Sequence, residues 1–130
     1  MTTVAHLSAV VVHPDPGFLG FASEALSTFE PGYRVATAFD IARASAWIGQ
    51  GTANLVVISA SLAPPGALAE LLAPLRNTES KVVITECTEL PAVIADLGLH
   101  VDIHPGSPNL TELLAVARTP SASDPLDWLD

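Results

Sequence analysis

Four polar side chains stand directly behind or at the end of short strand-like runs, and they are the residues with chemistry to offer. His13 follows Ala9-Val10-Val11-Val12, Ser59 follows Leu55-Val56-Val57-Ile58, Thr85 closes Val82-Val83-Ile84, and His104 follows Val101-Asp102-Ile103. Asp15 lies two residues past His13. Imidazole and carboxylate are ordinary zinc ligands, and a serine hydroxyl beside a base is a nucleophile. Each set is incomplete. There is no nucleophile–base pair, no Gly-rich phosphate loop and no full complement of metal ligands, so neither an enzyme nor a bound cofactor is expected. His100 and His104 share a strand face but stand about 13 Å apart at the rise of a strand, too far for one ion. A small-ligand or metal sensor built on His13, Asp15, Ser59, Thr85 and His104 is the alternative that these residues leave open.

The elements that must position them alternate. Ala9–Val12 is apolar without a polar alternate, the mark of a strand buried on both faces. Asp15-Pro16 then offers a capping carboxylate and a proline at the first helical position. Phe18, Phe21, Ala22, Ala25, Leu26 and Phe29 recur at helical spacing up to the stop Glu30-Pro31-Gly32. Tyr33–Ala38 reads as a second strand, and Asp40 caps a helix running to about Ile48. The third strand is Leu55–Ile58, followed by a rigid Ala63–Gly66 turn and a helix with Leu68, Leu71, Leu72 and Leu75 inward. Pro74 should end that helix early. Val82–Thr85, a short helix from about Glu89 to Leu97, and Val101–His104 follow. Asn109 and Glu112 form a capping pair for a last helix with Leu110, Leu113, Leu114 and Ala117 inward. Five such alternations predict an α/β domain with a five-stranded parallel sheet, order 2-1-3-4-5, in a flavodoxin-like (βα)5 three-layer sandwich. Its site should lie at the carboxyl ends of the strands.

This order of segments, with Asp15-Pro16 opening helix one, Asn54–Ile58, Thr85 ending strand four and His104-Pro105 after strand five, resembles the receiver domain of bacterial response regulators over roughly residues 8–118. The resemblance implies an aspartate that accepts a phosphoryl group at the end of strand three, an acidic pair after strand one that holds magnesium, and a threonine and a lysine that read the phosphate. Ser59 stands at the first of these places, His13 and Pro14 at the second, and His104 at the lysine. Thr85 matches, and Asp15 falls one place beyond the pair. A serine is a poor acceptor without an activating base and metal. The resemblance therefore implies a pseudo-receiver with the scaffold kept and the aspartyl-phosphate chemistry lost. It also implies a contact face over Cys87–Leu97, His100–His104 and Leu110–Arg118, including Leu97, His100 and Asp102, for a protein partner or a second copy. His13-Pro14-Asp15 is similar as well to the opening of the His-Pro-Asp-Asp-Glu motif of zinc-dependent N-acetylglucosaminyl deacetylases, but Pro16 and Gly17 replace its last two acids.

Composition bounds the rest. The chain of 130 residues has 49% hydrophobic and 15% charged residues and a net charge of −9. That is one domain without global disorder, and a surface that repels nucleic acid and anionic membranes. The single cysteine, Cys87, excludes an internal disulfide. Residues 1–8 do not read as a signal peptide, no run reaches membrane-spanning length, and a cytoplasmic protein is expected. Trp47 is a candidate contact or a half-buried core residue. From Thr119 to Asp130 the composition changes to an acidic tail or linker. Within it, Leu126, Trp128 and Leu129 form a candidate apolar anchor for a groove.

Overall fold

The structure, a computed structural model, describes residues 7–29, 33–49, 53–76, 80–106, 108–109, 111–113 and 115. Its elements are β1 (Leu7–Val12), α1 (Pro16–Phe29), β2 (Tyr33–Ala38), α2 (Ile41–Ile48), β3 (Leu55–Ser59), α3 (Pro65–Leu72), β4 (Lys81–Thr85), α4 (Ala92–Ala95) and β5 (His100–Ile103). Residues 111–113 and 115 are helical as well.

All strand pairs are parallel, and the sheet order is β2-β1-β3-β4-β5. A parallel sheet with helices on both faces has no polar side, which is why every residue of β3 and β4 is buried. The period of two then divides the core. Val10, Val12, Val56, Ile58, Val82 and Ile84 pack with the residues of α2 and α3. Ala9, Val11, Leu55, Val57 and Val83 pack with Phe18, Leu19, Ala22 and Leu26 of α1 and with Leu113. His13, Ser59 and Thr85 continue the second set and so stand on the α1 side of the sheet.

The caps are those the sequence predicts. Asp15 Oδ1 accepts the Gly17 N–H at 2.9 Å, and Asp40 Oδ1 accepts the Arg43 N–H at 2.8 Å. Asn109 and Glu112 close a reciprocal box, with both N–H···O distances 2.9 Å. Pro65 opens α3, which gives way at Leu72 to the tighter turn Ala73–Leu75 that contains Pro74.

Two boundaries differ from expectation. The fourth helix is a single turn rather than Glu89–Leu97. Pro91 disfavours a helical residue before it, and Gly98 at φ +74° ends the segment after two i→i−3 bonds, Leu97 to Ile94 and Gly98 to Ala95. The fifth strand ends at Ile103, one residue before His104, because Pro105 has no N–H to continue a ladder. The proposed tail, residues 119–130, lies outside the described residues.

Asp40 accepts the amide of Arg43, the third residue of α2, whose Ala44 and Ile48 are fully buried. Asp40→Ala should cost about 1 kcal/mol, read as a lower urea midpoint with an unchanged slope.

Candidate functional site

The chemistry gathers at the carboxyl rim of the sheet, but not with the membership expected. His13 is buried at 5% exposure, not a partly exposed rim residue, because its ring continues the α1-facing row and packs on Phe18 with centroids 4.5 Å apart. Its Nδ1 accepts the Asp15 backbone N–H at 3.0 Å. That bond assigns the ring lone pair to Nδ1 and the proton to Nε2. A ring held this way has no lone pair at Nε2 for a metal ion. Nε2 faces Glu86 Oε1 at 2.8 Å, off the line of a ring N–H hydrogen bond.

Glu86, absent from the site that the sequence predicts, is its central carboxylate. It directly follows β4 and sits in the left-handed region at φ 57°. Its N–H donates to the Gly106 carbonyl at 3.2 Å, while Cys87 N–H donates to the His104 carbonyl at 2.9 Å. These two bonds hold the backbone turn in place and aim the carboxylate back across the sheet. There, Oε1 accepts the Ser59 hydroxyl at 3.0 Å. Ser59 Oγ also accepts the Ser61 N–H at 3.2 Å and lies 2.7 Å from Ser61 Oγ. Ser59 is wholly buried. Thr85, its register partner, is equally buried, and its hydroxyl has no hydrogen-bond partner.

His104 belongs to a second arrangement. Its Nδ1 lies 2.9 Å from the Gly106 carbonyl and its Nε2 2.7 Å from Glu112 Oε2. Nδ1 also faces the Gly106 N–H at 3.3 Å, so the Glu112 carboxylate on Nε2 is the contact that most favours the imidazolium. The Glu112 hydrogen bond, then the Gly106 carbonyl, raises the His104 pKa above its ordinary value. Glu112 is lowered, first by the Asn109 amide and then by His104. The same glutamate thus caps the last helix and anchors the end of β5.

Of the expected pocket, the structure brings His13 and Ser59 together through Glu86 and leaves Thr85 beside Ser59. Asp15 is exposed and spent as a cap; Pro14 and Pro105 are exposed. Among the described residues, no three His, Cys, Asp or Glu side chains converge as a metal site. Of the expected contact residues, Leu97 and His100 are half-buried and Asp102 is exposed, next to exposed Ile103 and near exposed Val93 in sequence order on α4. Leu126, Trp128 and Leu129 lie outside the described residues. Trp47 is 47% exposed and lines a cavity of about 390 Å³ with Ser8, Arg34 and Ala53, towards the amino ends of β1 and β2. Cys87 is buried, and its thiol donates to the Glu89 carbonyl at 3.2 Å.

Two outcomes follow from these geometries. Ser59→Ala removes the hydroxyl shared by Glu86 and Ser61 and should cost about 1–2 kcal/mol in urea unfolding. The His104–Glu112 pair should be pH-dependent in a stated direction. A raised His104 contributes fully below its ordinary 6.5, and that contribution is lost as pH rises through the higher folded value. A lowered Glu112 contributes above its ordinary 4.5 and is lost as pH falls through the lower folded value. The melting-temperature difference between the native chain and His104→Ala should therefore be greatest between those two ordinary values and shrink on both sides.

No protein-family model matches the chain, and no curated protein matches it significantly. Among solved structures, it is similar to the signal receiver domain of the response regulator NarL from Mycobacterium tuberculosis, with a TM-score of 0.65 and 18% identity over 87% of this chain and 94% of that one. It is also similar to part of the lysine decarboxylase LdcF from Francisella novicida, with a TM-score of 0.58 and 14% identity over 85% of this chain but 16% of that enzyme. At these identities the likeness is one of fold. The chain has a receiver-like, flavodoxin-like domain with five parallel strands in the order 2-1-3-4-5.

Proposed function

We propose that this chain is a receiver-like signalling or localisation module that works by protein–protein contact without phosphorylation and is not an enzyme. The observation that carries the reading is the state of Ser59. At the end of β3, where a receiver would present its acceptor carboxylate, stands a wholly buried hydroxyl already donating to Glu86. His13, in the place of the acidic pair, holds a proton on Nε2 rather than a lone pair for a cation. His104, in the place of the lysine, is engaged with Glu112. A pocket with these groups has neither the acceptor nor the magnesium ligands of phosphoryl transfer.

What remains for function is surface. β5 is an edge strand only four residues long; Asp102 is exposed on its α1 side, and on the other side of the sheet Ile103 of β5 and Val93 of α4 are exposed. That edge suits a second copy or another protein; the net charge of −9 speaks against nucleic acid and anionic membrane. No described helix is long and apolar enough to cross a membrane. The tautomer of His13 disfavours the metal arm of the sensor alternative.

Incubation with acetyl phosphate and magnesium should leave the intact mass unchanged; an added phosphoryl group would overturn the reading. Light scattering should show a mass that rises with concentration and falls back in Ile103→Glu if the partner is a second copy.

A further inference from the structure

We propose that Glu86 is a tethered oxyanion: its carboxylate fills, from within the chain, an anion site made by His13 Nε2, the Ser59 hydroxyl and the Thr85 hydroxyl, and thereby keeps free phosphate out. This deepens the reading of the rim as a pocket without phosphoryl transfer and rests on that reading for its biological meaning, though its geometry stands alone.

Four observations carry it. The three residues end one α1-facing row on β1, β3 and β4, and Glu86 Oε1 lies 2.8 Å from His13 Nε2 and 3.0 Å from Ser59 Oγ, with Thr85 the register partner of Ser59. All three residues are at least nine-tenths buried, and all three groups can donate a hydrogen bond, His13 because Nδ1 is committed to Asp15. Buried donors without a charge to answer them select an anion. The anion present fits only in part. A single oxygen, Oε1, meets both Ser59 and His13, the His13 N–H is off line, and Thr85 Oγ1 has no hydrogen-bond partner. A carboxylate has two oxygens on one plane; a tetrahedral oxyanion would present one to each donor. Finally, Glu86 is the one described non-glycine residue with positive φ, a conformation that side chains disfavour and that the Glu86–Gly106 and Cys87–His104 backbone bonds hold. Tethering favours the occupancy although the Glu86 side chain is 36% exposed, because a group on a short leash acts at an effective concentration of about millimolar or more.

The test uses inorganic phosphate as the probe. Glu86→Gly removes the carboxylate while glycine accepts φ 57° without strain, and Glu86→Asn is a second, neutral variant of a residue type that tolerates the same region. Melting temperature and calorimetric titration are read in phosphate against chloride of matched ionic strength. The native chain should show no phosphate-specific shift. Each variant should gain a saturable one, and adding Thr85→Val or His13→Gln should abolish it. Equal binding by the native chain, or no gain in folded Glu86→Gly and Glu86→Asn, would overturn the proposal. Neither result touches the acetyl phosphate experiment, so failure of this inference and failure of the reading beneath it are told apart.

Discussion

A buried hydroxyl needs an acceptor, and at the end of β3 that need organises the rim. Ser59 has no water to turn to and donates to Glu86 Oε1. For the carboxylate to be there, the chain after β4 must turn sharply back, and it does so through the left-handed conformation of Glu86. For the turn to hold, the next two amides must find acceptors on the segment after β5, which they do at Gly106 and His104. One side-chain hydrogen bond thus fixes how β3, β4 and the segment after β5 finish. Replacing Ser59 by an acid would set two carboxylates in contact inside the sheet end, a like-charge arrangement that neither burial nor His13 can relieve in full.

The two histidines show how neighbours, not residue type, set a role. His13 is reached on Nδ1 by a backbone donor and becomes a one-proton ring facing a carboxylate. His104 is reached by a carbonyl and a carboxylate and is drawn toward the charged form. The first closes the mouth of the sheet; the second ties β5 to the cap of the last helix through Glu112. In a chain with 14 acidic and 5 basic residues, the two imidazoles give two rim carboxylates a facing N–H, and only His104 is drawn toward positive charge.

What was legible in the sequence was whatever short-range physics decides. Tyr33–Ala38 and the helix from Asp40 to Ile48 are found at their predicted places, because a capping aspartate and a two-faced strand are local signals. The Asn109–Glu112 box is likewise a spacing of three. The strand order followed from the handed crossovers that five alternations require. Glu86 was not legible. Its role depends on a positive φ, which sequence signals mainly through glycine or asparagine, and on a contact 27 residues distant in the chain. The burial of His13 was missed for a related reason: a histidine after a strand is read as polar and exposed until the phenylalanine beneath it is seen. The fourth helix, expected over about Glu89–Leu97, is cut to Ala92–Ala95 because Pro91 restricts its start and Gly98 closes its end.

A conformational switch requires two states and an effector that binds one better than the other. An exchangeable phosphoryl group is such an effector; a carboxylate carried by the chain is not, since its presence does not vary. With the anion built in as proposed, the equilibrium of the rim would be set by sequence. On the proposed reading, control would come from outside the pocket, through a partner at β5 or through protonation of the His104–Glu112 tie. The second route acts on the same structural line, since His104 both accepts the Cys87 amide on its backbone and holds Glu112 on its ring. Loosening that ring contact would untie the end of β5 from Glu112 while leaving the Asn109–Glu112 box and the Ser59–Glu86 bond in place, so the two ends of the rim respond to different chemistry.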